Sequence, residues 1–108
     1  MHRSLIVARI RPGEEAAVRQ AFAESDATAL PAEVGVVHRS LYSLGDLYVQ
    51  LVDWRGDARE SLERARGLPA FRRISEDLKP YITAYNPATW RSAHDAVARE
   101  FYHWDADG

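Results

Sequence analysis

The stretch VGVVHRSLYSLGDLYVQLVD, residues 34–53, decides the fold, because it reads as two strands joined by a tight turn. Val34 to Ser43 and Asp46 to Asp53 are rich in apolar and β-branched side chains, and Leu44-Gly45 lies between them as a two-residue connection containing Gly. With Leu44 and Gly45 as the loop, Ser43 faces Asp46, Leu41 faces Tyr48 and Arg39 faces Gln50. One face of the ribbon then carries Val37, Arg39, Leu41, Tyr48, Gln50 and Val52. The other carries Val36, His38, Ser40, Tyr42, Leu47, Val49 and Leu51. A slip of one residue would exchange these sets on one strand. Both faces hold apolar side chains, so both call for a cover.

On the N-terminal side, Leu5 to Ile10 reads as a first strand, ended by Arg11-Pro12-Gly13, which cannot continue a ladder. The period then changes. Glu14 and Glu15 suit the positive end of a helix, and Val18, Ala21 and Phe22 follow at helical spacing. This helix is expected to fade at Ser25-Asp26, with Pro31 forbidding its continuation. On the C-terminal side, Asp57-Ala-Arg-Glu60 has the form of a capping box and Gly67 sits where that helix ends. Pro69 opens a further short helix with Ala70, Phe71, Ile74 and Leu78 on one face, stopped by Pro80. Tyr81 to Trp90 reads as irregular. Ala96 to Trp104 reads as a last strand, with Trp104 packed on it at the core or its rim, and the polar tail from Asp105 to Gly108 as frayed.

The order is β-α-β-β-α-β with an extra short helix, the split pattern of ferredoxin-like α+β subunits, over one domain spanning residues 1–108. In such a fold the helices cover one face of the sheet, which leaves Val36, Tyr42, Val49 and Leu51 without a cover. An apolar face of that kind marks an association surface, and two-fold packing of two such sheets would bury it, so a homodimer is expected.

Composition narrows the function. A formal net charge of -2 gives no footprint for a polyanion, so no nucleic acid is expected as partner. The absence of cysteine excludes disulfides, thiolate nucleophiles and thiolate metal sites. No apolar run is long enough to cross a bilayer, and Met1-His-Arg-Ser4 lacks the features of a secretory signal, so no membrane association and a cytoplasmic location are expected. No glycine loop for a nucleotide is present, and no cofactor or metal is expected.

A set of short strings occurs in order along the chain: Phe22-Ala-Glu-Ser-Asp26, Leu30-Pro31-x-x-Val34-Gly35-Val36, Arg39-Ser40-Leu41-Tyr42 and Asp46-Leu47-Tyr48. Pro69-x-Phe71-Arg72-x-Ile74-Ser75, Thr89-Trp90-Arg91 and Asp95-Ala96-x-Ala98-x-x-Phe101-Tyr102-x-Trp104 follow. From about Leu5 to Trp104 this set resembles the small aromatic polyketide synthesis cyclases, the group typified by the tetracenomycin cyclase and the spore-pigment cyclases. The resemblance implies a homodimeric α+β barrel. It also implies a cofactor-free enzyme of antibiotic or pigment biosynthesis, which closes a ring in a poly-β-ketone, free or tethered to a carrier protein, by intramolecular aldol addition and dehydration. Asp26 and Arg39 match positions where the family pattern has an acid and a basic residue associated with the active site. Ser25 and Gln50 fall where the tetracenomycin enzyme has histidines, which leaves the general base unassigned.

Methylenes between carbonyls are already acidic, so the tasks left to a protein are to hold one conformation of a floppy chain, stabilise an enolate oxygen and move protons. Arg39 is the candidate oxyanion partner, its alternative an ordinary salt bridge. Asp26 is a candidate base or an orienting group for Arg39, and reads equally as a turn residue. Gln50 positions a carbonyl without exchanging protons, Tyr48 lines a cavity or packs in the core, and Ser25 and Trp90 complete the candidate substrate-binding set. Of the histidines His2, His38, His94 and His103, the residues at 38 and 103 would supply a base only if a cavity reached them. Arg64, Arg66, Arg72 and Arg73 form a basic stretch, either a solvated helix face or a dock for an acidic carrier. Two other functions fit the same barrel: a cofactor-free oxygenase making a polycyclic quinone, and a non-catalytic subunit of a synthase complex.

Overall fold

The computed structural model describes residues 2–91 and 93–106, without the side chains of positions 93 and 94, so His94 and the last two positions of the tail lie outside the described residues. Strands β1 (His2–Ile10), β2 (Val36–Leu44), β3 (Leu47–Trp54) and β4 (Ile82–Ala84) form one antiparallel sheet in the order β2-β3-β1-β4, the ferredoxin-like arrangement. Helices α1 (Glu15–Asp26), α2 (Leu30–Val34), α3 (Ala58–Arg66) and α4 (Pro69–Leu78) supply the second layer, and a 3₁₀ turn follows at Ala93–Ala96.

Alternation along the strands makes the core. Ala8 and Ile10 of β1 and Tyr48, Val52 and Trp54 of β3 turn inward against Val18 and Phe22 of α1, Leu62 and Ala65 of α3 and Ile74 of α4. The helix signals act where they stand in the chain. The Asp57 carboxylate accepts from the backbone N–H groups of Arg59 at 2.8 Å and Glu60 at 3.1 Å, closing the start of α3. Pro69 occupies the first turn of α4.

The hairpin turn differs from the expected one by one position. Leu44 pairs with Leu47, so Gly45-Asp46 is the connection, with Gly45 at φ +60°. A two-residue turn with glycine first is the type II′ hairpin, which suits the twist of the strands, whereas Leu44-Gly45 would have had to splay them as a type II turn or hold Leu44 at positive φ as a type I′ turn. The true register therefore pairs Arg39 with Val52 and Leu41 with Gln50, in place of Arg39 with Gln50. Because the register moves by two residues, the two faces keep their members except at one end. A bulge between Val36 and His38 turns Val36 inward to the core and leaves Val37 outside.

Three further expectations are corrected. Val34 does not begin the strand: it ends α2, a separate one-turn helix that has Pro31 in its first turn and that Gly35 terminates at φ +84°. Ala96 to Trp104 is not a strand either. A single bridge joins Val97 to Ile6, Ala98 N–H donates to the Leu5 carbonyl at 2.7 Å, and no regular structure follows in the described residues. Trp104 is 70 % exposed, together with Phe101 at 89 % and Tyr102 at 76 %, and so packs neither in the core nor at its rim. The place beside β1 is taken instead by Ile82–Ala84, from the segment expected to be irregular. Pro80 and Pro87 hold that strand to three residues.

No helix among the described residues covers the outer face of the sheet. Leu5 lies opposite Leu51, Val7 opposite Val49 and Val49 opposite Tyr42. At one end Arg3 and Asp53 pair at 2.7 Å, and His38 and Ser40 bond at 2.9 Å.

Candidate active site

Between the inner face of the sheet and the helices lies a cavity of about 380 Å³. Ile6, Ala8 and Val52 give it an apolar floor, and Phe22, Leu62, Phe71 and Ile74 an apolar roof. Arg39, Tyr48 and Gln50 line it from the sheet, Ser25 from α1 and Trp90 from the loop after β4. Asp26 does not line it. Its carboxylate lies behind Arg39, accepting from Nε at 3.0 Å and from Nη2 at 3.0 Å in a bidentate pair.

The guanidinium is fixed from three sides. Arg39 faces Val52 in register, and the diagonal neighbour on the same face is Gln50, whose Oε1 accepts from Nη1. The ring of Phe22 lies 4.8 Å from the guanidinium carbon, in cation–π range. Phe22 and Asp26 are four residues apart on α1, so one face of that helix presents both ring and carboxylate to the same arginine. Phe22 reads in the sequence as a core residue; its spacing from Asp26 was the available signal that it touches the site. Arg39 is only 17 % exposed, and a guanidinium so placed without partners would carry a desolvation cost of several kcal/mol. Three of its five N–H groups are engaged by the described residues, and the other two find no partner among them.

Tyr48 is the buried member of the network. Its phenolic oxygen accepts from Gln50 Nε2 at 3.2 Å. Burial pushes the phenol well above its ordinary range, and the nearby Arg39 charge and the Gln50 hydrogen bond offset this only in part. The group is therefore a neutral hydrogen-bond donor at all physiological pH. Trp90 stands half-exposed at the rim, beside the exposed Lys79, whose ammonium is 2.7 Å from Glu76. A second groove, of about 540 Å³ between α1 and α4, shares Ser25 and Ile74 with the cavity.

The two histidines weighed as bases stand elsewhere. His38 lies on the outer face of the sheet, and His103 bonds Asp105 at 2.6 Å in the exposed tail; neither lines the cavity, so neither stands in for a missing base there. Among the described residues no group of three His, Cys, Asp or Glu side chains is placed to hold a metal ion, and no helix is long and apolar enough to cross a membrane. What the cavity offers is a fixed cation, a neutral phenol and apolar walls.

The model of one family, polyketide synthesis cyclase, matches residues 2–105. An uncharacterised protein of Streptomyces coelicolor is 48 % identical, covering 97 % of this chain and 96 % of its own length. A polyketide synthase of Streptomyces cyaneus, CurG, is 40 % identical over 99 % of this chain and 100 % of its own. Tetracenomycin F2 cyclase of Streptomyces glaucescens is 39 % identical over 97 % of this chain and 95 % of its own. The solved structure of that last protein, described as a type-II polyketide cyclase, superimposes with a TM-score of 0.89 over 98 % of this chain and 99 % of that one.

Proposed function

Since the chain belongs to the polyketide synthesis cyclase family, we propose that it closes a ring in an aromatic poly-β-ketone by intramolecular aldol addition and loss of water, without a cofactor. The observation that carries this reading is the guanidinium of Arg39, held by Asp26, Gln50 and Phe22 at the wall of an otherwise apolar cavity.

The chemistry follows from that placement. Apolar walls select one folded conformation of a flexible chain and expel water from it, which is the larger part of the task for a substrate whose methylenes are already acidic. Loss of a methylene proton puts negative charge on the flanking carbonyl oxygen. The two free N–H groups of Arg39 are donors fixed in advance for that oxygen, in a medium where their charge is weakly screened. Asp26 keeps the guanidinium in place, and Trp90 and Ser25 border the substrate where the cavity meets solvent.

A second copy of the chain covers the outer face of the sheet. Leu5, Val7, Tyr42, Val49 and Leu51 make a continuous apolar strip with no helix over it, and two such strips packed face to face remove both from water.

The test is a reconstituted aromatic polyketide synthase run with and without the purified protein. A cyclised product lighter than its precursor by one water, formed only when the protein is present, is the expected result. An unchanged product profile, or uptake of dioxygen in step with product, overturns it.

A further inference from the structure

Gln50 sits between two groups of opposite hydrogen-bonding character. A guanidinium has donors only, so the oxygen of the Gln50 amide is the atom that faces Arg39 Nη1. The amide nitrogen is thereby turned to Tyr48 and donates to its phenolic oxygen at 3.2 Å. A hydroxyl that accepts from Gln50 keeps its own proton to give, and among the described residues no protein acceptor takes it. Tyr48 lines the cavity, so the proton has a ligand as its remaining partner. The chain Arg39 to Gln50 to Tyr48 thus runs in a single direction, and its last donor points at whatever fills the cavity.

We propose that Tyr48 is a catalytic hydrogen-bond donor, holding the oxygen of the ketone under attack while Arg39 holds the enolate oxygen, and that Gln50 is the positioning residue that aims it. The proposal rests on the cyclase reading above. In the step concerned, the methylene gives up a proton, its carbon bonds to the ketone carbon, and the π pair of that carbonyl moves onto its oxygen. The proton that this oxygen then takes replaces the one released, so the addition is a net rearrangement with no oxidant or reductant. Tyr48 holds that oxygen as charge grows on it and remains a phenol throughout. Two donors separated by one amide suit two oxygens of a single folded chain, one on each side of the new bond.

Two variants read this out. Tyr48→Phe removes one oxygen and leaves the ring; kcat is expected to fall about 100-fold with KM within a few-fold of the unaltered protein. Gln50→Glu leaves volume and packing intact but reverses the direction of the chain. A carboxylate accepts from Arg39 and from Tyr48 alike, drawing the phenolic proton out of the cavity. Its kcat is expected to be similarly low at neutral pH. As pH falls and the carboxyl takes up a proton, it again donates to Tyr48, so activity relative to the unaltered protein rises.

Neither a packing role for Tyr48 nor a steric role for Gln50 produces that recovery in acid. Full kcat in Tyr48→Phe, or a Gln50→Glu activity ratio that does not change with pH, overturns the proposal. Should Tyr48→Phe fold poorly, Tyr48→Met, which fills the space without a hydroxyl, is read in its place, with the same loss of kcat expected and full kcat overturning the proposal. Failure of the unaltered protein to cyclise sinks the cyclase reading instead, so the two failures are distinguishable.

Discussion

Arg39 is held by a carboxylate and by an amide, and the two supports differ in what they contribute. Asp26 balances the charge and grips two N–H groups, while Gln50 takes a third and passes the direction on to Tyr48. Arg39→Ala is expected to lower kcat by about 100- to 1000-fold, the usual cost of a lost oxyanion donor. Asp26→Asn retains an acceptor but not the charge, and a loss of about tenfold is expected, the worth of one hydrogen bond to a charged group. Steady-state kinetics on the two variants check the assignment; an Asp26→Asn loss as deep as that of Arg39→Ala would mean that Asp26 moves protons itself. At this scale the sequence was readable in part. Arg39, Tyr48 and Gln50 share a face by period-two alternation alone, and that holds in either register. That Arg39 reaches Gln50 diagonally, and that Phe22 lies on the guanidinium, depends on side-chain length and on how α1 crosses the sheet, which no local pattern encodes.

Helix signals were legible because they act within one turn. Asp57 caps α3 and Pro69 opens α4 through contacts that local spacing determines. Asp57→Ala is expected to cost about 1 kcal/mol, seen as a lower thermal midpoint with the α3 contacts otherwise kept. Strands were less legible, because a strand exists only beside a partner. Ala96 to Trp104 alternates like a strand, yet after Val97 it makes no ladder in the described residues, while three residues with weaker alternation, Ile82–Ala84, pair with β1 at Ala8, Arg9 and Ile10. Pro31 illustrates the same limit from the other side. It does block continuation of α1, but the φ that makes it a breaker also suits the first turn of α2.

For the molecule as a whole, the outer face of the sheet is the feature on which the proposed pairing of two copies rests. Val49 stands at the middle of the apolar strip, between Val7 on one side and Tyr42 on the other. Val49→Lys would place an ammonium there, and light scattering on a sizing column is expected to show the mass of one chain in place of two; an unaltered protein that already elutes with the mass of one chain overturns the dimer. That face was foreseeable from alternation, since two apolar faces and helices for only one leave a remainder. The cavity was not, because an internal void records where packing stops short, and the same apolar residues would also fit a closed core. Strand β3 belongs to both surfaces at once: Tyr48, Gln50 and Val52 look into the cavity, and Val49 and Leu51 look out. Its eight residues are therefore held to a fixed length. Adding or deleting one of them would rotate every later side chain through the sheet and erase chemistry and partnership in one mutational event. A change of length is tolerable in the turns, where no such double duty falls on alternate side chains.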